Sequence, residues 1–80
     1  MTEKISGIIG SLSKVQEDST VPRNVRDRIN SIIDVLEKDG DMSIKVHKVL
    51  NDLDDIAADI NLQPYTRSLI WGIVSELEKI

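Results

Sequence analysis

An internal repeat constrains this chain more than any other feature. The stretch Pro64 to Lys79, PYTRSLIWGIVSELEK, lies over Pro22 to Lys38, PRNVRDRINSIIDVLEK, once one residue is dropped between proline and arginine. From the arginines onward the offset is constant (67 − 26 = 41). Arg26, Ile29, Ile32, Leu36, Glu37 and Lys38 fall on Arg67, Ile70, Ile73, Leu77, Glu78 and Lys79, and Ile33 falls on Val74. The same offset carries Ile5, Ile8, Ile9, Leu12 and Val15 onto Val46, Val49, Leu50, Leu53 and Ile56. Aliphatic matches alone are weak, because any two amphipathic helices align moderately. Asp18 and Arg26, matched by Asp59 and Arg67 at the same eight-residue separation, are harder to obtain by coincidence. A period of about 40 with two helices per unit is the signature of a helical repeat. The expectation is one all-α domain over residues 1–80: a four-helix, up-down bundle of two hairpins, 1–40 and 41–80, with short loops.

Local signals place the four helices. Thr2 and Glu3 suit a helix start, since a hydroxyl accepts an orphan N–H and a carboxylate favours the positive end. Ile5, Ile8, Ile9, Leu12 and Val15 then follow along one helical face. Gly7, Gly10, Ser6, Ser11 and Ser13 fill much of the rest, and two interior glycines cost about 1 kcal/mol each. They read as a loosely constrained outer face, with close approach of another backbone as the sharper alternative. Asp18 to Pro22 breaks the pattern, and proline suits a first helical position because its missing N–H has no partner there. The second helix turns Val25, Ile29, Ile32, Ile33 and Leu36 inward and ends at Lys38-Asp39-Gly40, where glycine can take a left-handed cap. The third starts at Asp41-Met42-Ser43 and turns Val46, Val49, Leu50, Leu53, Ile56, Ala57 and Ile60 inward. The fourth starts at Pro64 after the turn Asn61-Leu62-Gln63.

Each unit resembles a HEAT repeat: an aliphatic helix, an Asp near its end, a turn, then Val25-Arg26 or Thr66-Arg67 opening the second helix. That resemblance implies that Asp18, Arg26, Asp59 and Arg67 bridge one another and fix how the units stack. A closer resemblance spans nearly the whole chain. It rests on Val21-Pro22-Arg23-Asn24-Val25-Arg26, Leu50-Asn51-Asp52-Leu53-Asp54-Asp55-Ile56 and Thr66-Arg67-Ser68-Leu69-Ile70-Trp71. These stretches look like a family of small archaeal all-helical proteins, uncharacterised protein family 0147, whose members have no assigned activity. The resemblance implies a helical fold and is silent on function.

Composition excludes several classes. Eighty residues make one domain, 40% hydrophobic and 30% charged, too apolar for disorder. No apolar run approaches the roughly 20 residues of a membrane span, and MTEKISGIIG lacks the features of a signal peptide. With no cysteine there is no disulfide and no thiolate metal site, which fits a cytoplasmic protein. A net charge of −4 disfavours a dedicated nucleic-acid binder. The only aromatics are Tyr65 and Trp71, so the core must be aliphatic.

No constellation for catalysis emerges. Asp52, Asp55 and Asp59 share a helical face, with Asp54 beside them, and such carboxylates can hold a divalent metal. With Lys45 and Lys48 on the same helix they read instead as a solvated face. Asp39 to Ser43 hints at a calcium loop, but Leu50 stands where an EF-hand needs a carboxylate. His47, the only histidine, neighbours Asn51 and has no second ligand or nucleophile arranged around it. We expect no catalytic residue, cofactor or metal. Arg23, Arg26 and Arg28 form the one basic cluster, which Arg67 can join if the repeats stack. Arg26 and Arg67 read as structural, leaving Arg23 and Arg28 as possible phosphate contacts.

The fourth helix carries an anomaly. Leu69 and Trp71 lie about 100° to either side of the inward-facing Ile70. Their counterparts in the second helix are Arg28 and Asn30. One flank can face the first repeat, and the other faces where a third repeat would stack. Terminal repeats normally present polar residues there. The apolar excess points to a covering surface, most simply a second copy about a two-fold axis. The expected function is a non-enzymatic interaction or scaffold module that self-associates as a homodimer through Tyr65, Leu69 and Trp71. The alternative is an RNA- or ribosome-associated accessory protein that binds through the arginines.

Overall fold

The computed structural model describes residues 2–80. Its helices are α1 (Thr2–Glu17), α2 (Arg23–Glu37), α3 (Met42–Ala57) and α4 (Pro64–Glu78). The capping role expected of the Thr2 hydroxyl lies outside the described side chains. Each helix buries most of the stripe its spacing sets, but Ile9, Ile33, Val46 and Leu50 are only partly buried. Ile60, expected inward, lies past the end of α3 and is exposed. Ile5, Ile8, Leu12 and Val15 face inward from α1, and Val25, Ile29, Ile32 and Leu36 from α2. Val49, Leu53, Ile56 and Ala57 do so from α3, and Ile70, Ile73, Val74 and Leu77 from α4. All of them join one core. Helices of 15 or 16 residues are about 23 Å long, against a longest dimension of 32 Å, so each runs most of the molecule's length and turns back.

The helices form a closed ring. α1 packs on α2, α2 on α3, α3 on α4, and α4 returns to α1, whereas the backbones of the diagonal pairs α1/α3 and α2/α4 do not meet. An open stack of repeats would set α1 beside α3 and α2 beside α4. With only two units, a stack would leave half of each inner face in water, and closing the ring buries both faces in a single core. The hairpins are thus related by an approximate two-fold along the bundle axis. α4 has no end face awaiting a third repeat; its two flanks meet α1 and α3.

Three bonds recur at equivalent positions of the two turns. Val21 N–H donates to the Asp18 carbonyl and Leu62 N–H to the Asp59 carbonyl, each at 3.1 Å. Thr20 N–H donates to the Asp18 carboxylate at 2.9 Å, and Asn61 N–H to the Asp59 carboxylate at 2.8 Å. The Pro22 carbonyl accepts from Arg26 N–H at 3.0 Å, and the Gln63 carbonyl from Arg67 N–H at 2.9 Å. Gln63, and not Pro64, is therefore the equivalent of Pro22, and the offset of 41 runs through the turn without a dropped residue. The prolines occupy successive positions: Pro22 caps α2 from outside, while Pro64 opens α4. Both positions lie among backbone donors without a helical partner, so proline suits either.

The turn between hairpins differs from the expected left-handed cap. Lys38 is already extended (φ −77°, ψ 154°), and the positive φ, 141° at Gly40, falls two residues later. Only glycine adopts that value without strain. The Lys45 ammonium reaches back from α3 to the carbonyls of Leu36, at 3.4 Å, and Lys38. Asp41 caps α3 by accepting from Ile44 N–H at 3.2 Å.

Candidate interaction surface

The apolar flanks of α4 point in different directions. Leu69 and Trp71 are 41% and 47% exposed, and Tyr65 is more exposed still. Leu69 and Tyr65 border a groove of about 680 Å³ between α1 and α4; Trp71 lies on the other flank, toward α3, and takes no part in it. The three residues expected to act together are thus divided two and one.

Small residues open the groove. Gly7 and Ser11 stand one turn apart on α1, and Ser68 and Gly72 one turn apart on α4. A Cβ built at Gly7, Gly10 or Gly72 meets nothing within 4 Å, so no close approach inside the protomer requires glycine there. Ile8, Val15 and Ile73 make an aliphatic floor. Lys4 and Glu76 mark one end, at the start of α1 and the finish of α4; Lys14 and Asp18 mark the other, beside Tyr65. The sequence reading missed Ser68, Gly72 and Glu76 altogether. The four-residue spacing of serine and glycine on both helices was the available signal.

The opposite seam, between α2 and α3, shows what the template can otherwise hold. At the offset of 41, Gly7, Ser11, Lys14 and Leu69 correspond to Lys48, Asp52, Asp55 and Arg28. There the Arg28 guanidinium spans α2 to α3, 3.6 Å from the Asp55 carboxylate, and Lys48 lies 3.7 Å from Asp52. Long charged side chains cover that seam with their stems. Glycine and serine cannot.

The Asp and Arg residues of the turns meet differently from the expected side-chain bridge. Arg67 Nε donates to the Ala57 carbonyl at 2.9 Å, and Nη2 to the carbonyls of Asp59 and Leu62 at 2.9 and 3.2 Å. The guanidinium thus ties the last carbonyl of α3 to two carbonyls of the turn that follows. The Asp59 carboxylate serves its own turn instead. Asp18 does the same with both the amide and the hydroxyl of Thr20, the latter at 2.7 Å. Those two bonds, the hydroxyl's first, hold the Asp18 carboxyl below its ordinary pKa, with Arg26 adding a smaller pull. Arg26 is half-buried, and its Nε has no hydrogen-bond acceptor.

The remaining candidates scatter. Arg23 is exposed, and Arg28 is engaged with Asp55. Asp52 and Asp55 take part in ion pairs, Asp54 is exposed, and Asp59 caps its turn. Among the described residues, no three His, Cys, Asp or Glu side chains gather as a metal site. His47 is exposed, at the edge of a shallow depression beside Met42, Val46 and Leu50. Among the described residues, no helix is long and apolar enough to cross a membrane.

Fold and surface define a small all-α bundle of four helices. Residues 1–80 match the model of the Uncharacterised protein family (UPF0147), and the chain belongs to that family. A UPF0147 protein of the archaeon Methanosarcina mazei is 36% identical over 80 residues, which cover 99% of this chain and 86% of the relative. One from Thermococcus kodakarensis, TK2131, is 32% identical over all of this chain and 99% of its own length. The crystal structure of MMP1188, a protein of unknown function, is similar throughout. Its TM-score is 0.92 at 38% identity, covering 99% of this chain and 91% of that one.

Proposed function

We propose that this protein is a non-enzymatic interaction or scaffold module of the cytoplasm that self-associates as a homodimer through α4. The observation that carries the reading is the half-exposed apolar surface of α4, Leu69 and Trp71, where the equivalent positions of α2 hold Arg28 and Asn30. Tryptophan is enriched at interface centres, and a closed homo-oligomer is the simplest way to cover the exposed apolar side chains. An 80-residue chain also has a small core, to which association adds buried surface. The arginine-based alternative, binding to RNA or the ribosome, draws less support. Arg67 is committed to backbone carbonyls and Arg28 to Asp55, which leaves little basic surface on a chain of net charge −4.

Sedimentation velocity of the wild type, Leu69→Arg and Trp71→Arg at micromolar concentration tests the reading. The wild type should sediment as a dimer that at least one substitution disperses. A wild-type monomer overturns the proposal.

A further inference from the structure

The two flanks of α4 are not equal candidates for that association, and the groove flank has the features of a self-complementary surface. It presents a ridge and a hollow on different helices: Tyr65 and Leu69 one turn apart on α4, Gly7 and Ser11 one turn apart on α1. It also carries charge of both signs in equal number. At one end Lys4 belongs to α1 and Glu76 to α4, and within the protomer neither enters an ion pair among the described residues. A strongly charged partner would find no uniform field to match. A second copy finds its own complement.

We infer that a second copy docks groove to groove about a two-fold axis parallel to the helices. The α4 of each protomer then lies on the α1 of the other. This axis keeps height along the bundle, so Leu69 enters the open side of the partner's α1 at Ser11, and Tyr65 meets the end that Lys14 and Asp18 mark. Lys4 of each chain faces Glu76 of the other, so both unpaired groups are satisfied twice in one interface. A two-fold perpendicular to the helices would instead lay α1 antiparallel on α1 and turn the Lys4 end toward the Lys14 end, cation toward cation. Trp71 lies outside this contact. The inference rests on the self-association reading and specifies its surface.

The experiment is a charge swap followed by mixing, read by sedimentation equilibrium. K4E alone sets the introduced carboxylate against Glu76 twice across the interface, and E76K alone sets the introduced ammonium against Lys4 twice. Each variant should dimerise roughly tenfold more weakly than the wild type. An equimolar mixture of the two should recover wild-type affinity. In the heterodimer the two introduced charges, opposite in sign, face each other at one contact, and the native Lys4 faces the native Glu76 at the other. Mixing leaves the mismatch inside each protomer untouched, so recovery reports a contact between chains. W71R should dimerise like the wild type. A wild-type dimer that neither charge variant weakens, or whose variants do not recover on mixing, overturns the groove assignment and leaves self-association standing. A wild-type monomer overturns both. Binding of an amphipathic helical peptide to that monomer would identify a different occupant.

Discussion

The two seams between the hairpins start from one template and finish differently. Along α2 and α3, Arg28, Lys48, Asp52 and Asp55 supply length and charge, and two ion pairs lie over the aliphatic core. Along α1 and α4 the same positions carry Leu69, Gly7, Ser11 and Lys14, and the seam stays hollow above Ile8, Val15 and Ile73. The core beneath does not share this asymmetry: Leu12 and Leu53, and Ile29 and Ile70, are fully buried in equivalent places. The two hairpins therefore agree in the residues that hold each together and differ at the outer positions. Surface positions tolerate substitution at a few tenths of a kcal/mol, whereas core positions do not.

The largest effect that can test the equivalence of the halves lies in the turns. Arg67→Ala removes three hydrogen bonds from a guanidinium to carbonyls of the α3 end and the turn after it, and should cost about 2 kcal/mol in urea unfolding. Arg26→Ala should cost clearly less, because its Nε already lacks an acceptor. Equal losses would mean that Arg26 holds its turn in solution as Arg67 does. The contrast between the turns would then disappear, leaving only that between the seams.

A smaller effect, of opposite sign, bears on the hollow itself. Gly7 and Gly72 sit inside helices, and an added Cβ meets nothing within 4 Å at either place. Gly7→Ala and Gly72→Ala should each stabilise the protein by roughly 0.5–1 kcal/mol, measured as a rise in Tm at concentrations where the chain is monomeric. Glycine at these positions is then a cost to the protomer that the protomer's own packing does not recover. Destabilisation by either substitution would show that the helices approach more closely than the groove allows.

How far the sequence could anticipate this follows from what each feature depends on. The four helices, their inward stripes and the offset of 41 depend on side-chain type at fixed spacing, which a sequence displays directly. The equivalence of Pro22 with Gln63 was hidden because two prolines one position apart invite alignment, while the turn bonds are carried by the backbone carbonyls of Pro22 and Gln63, a group that every residue has. Arg67 was legible as structural but not in its partners, for the same reason: its acceptors are backbone atoms. The groove was least legible. Which flank of α4 meets α1 is decided by closure of the ring, and a two-unit stack would have aimed Leu69 and Trp71 elsewhere.

The smallest predicted effect separates the two turns by chemistry. Asp18 accepts from both the amide and the hydroxyl of Thr20, whereas Asp59 accepts from the amide of Asn61. Those bonds favour the charged carboxylate, so the folded pKa of Asp18 lies below its unfolded value. Stability from this source is complete above the unfolded pKa and disappears as pH falls through the folded one. Thr20→Val deletes the hydroxyl, the leading cause, and keeps the amide. Carboxyl-detected NMR titration should then place the Asp18 midpoint higher, part of the way back to the ordinary value. The variant should be slightly less stable than the wild type at neutral pH and indistinguishable from it once Asp18 is protonated in both states. An unmoved midpoint would assign the depression to the Thr20 amide and Arg26, and the two turns would be alike in the chemistry of their carboxylates as well as in their geometry.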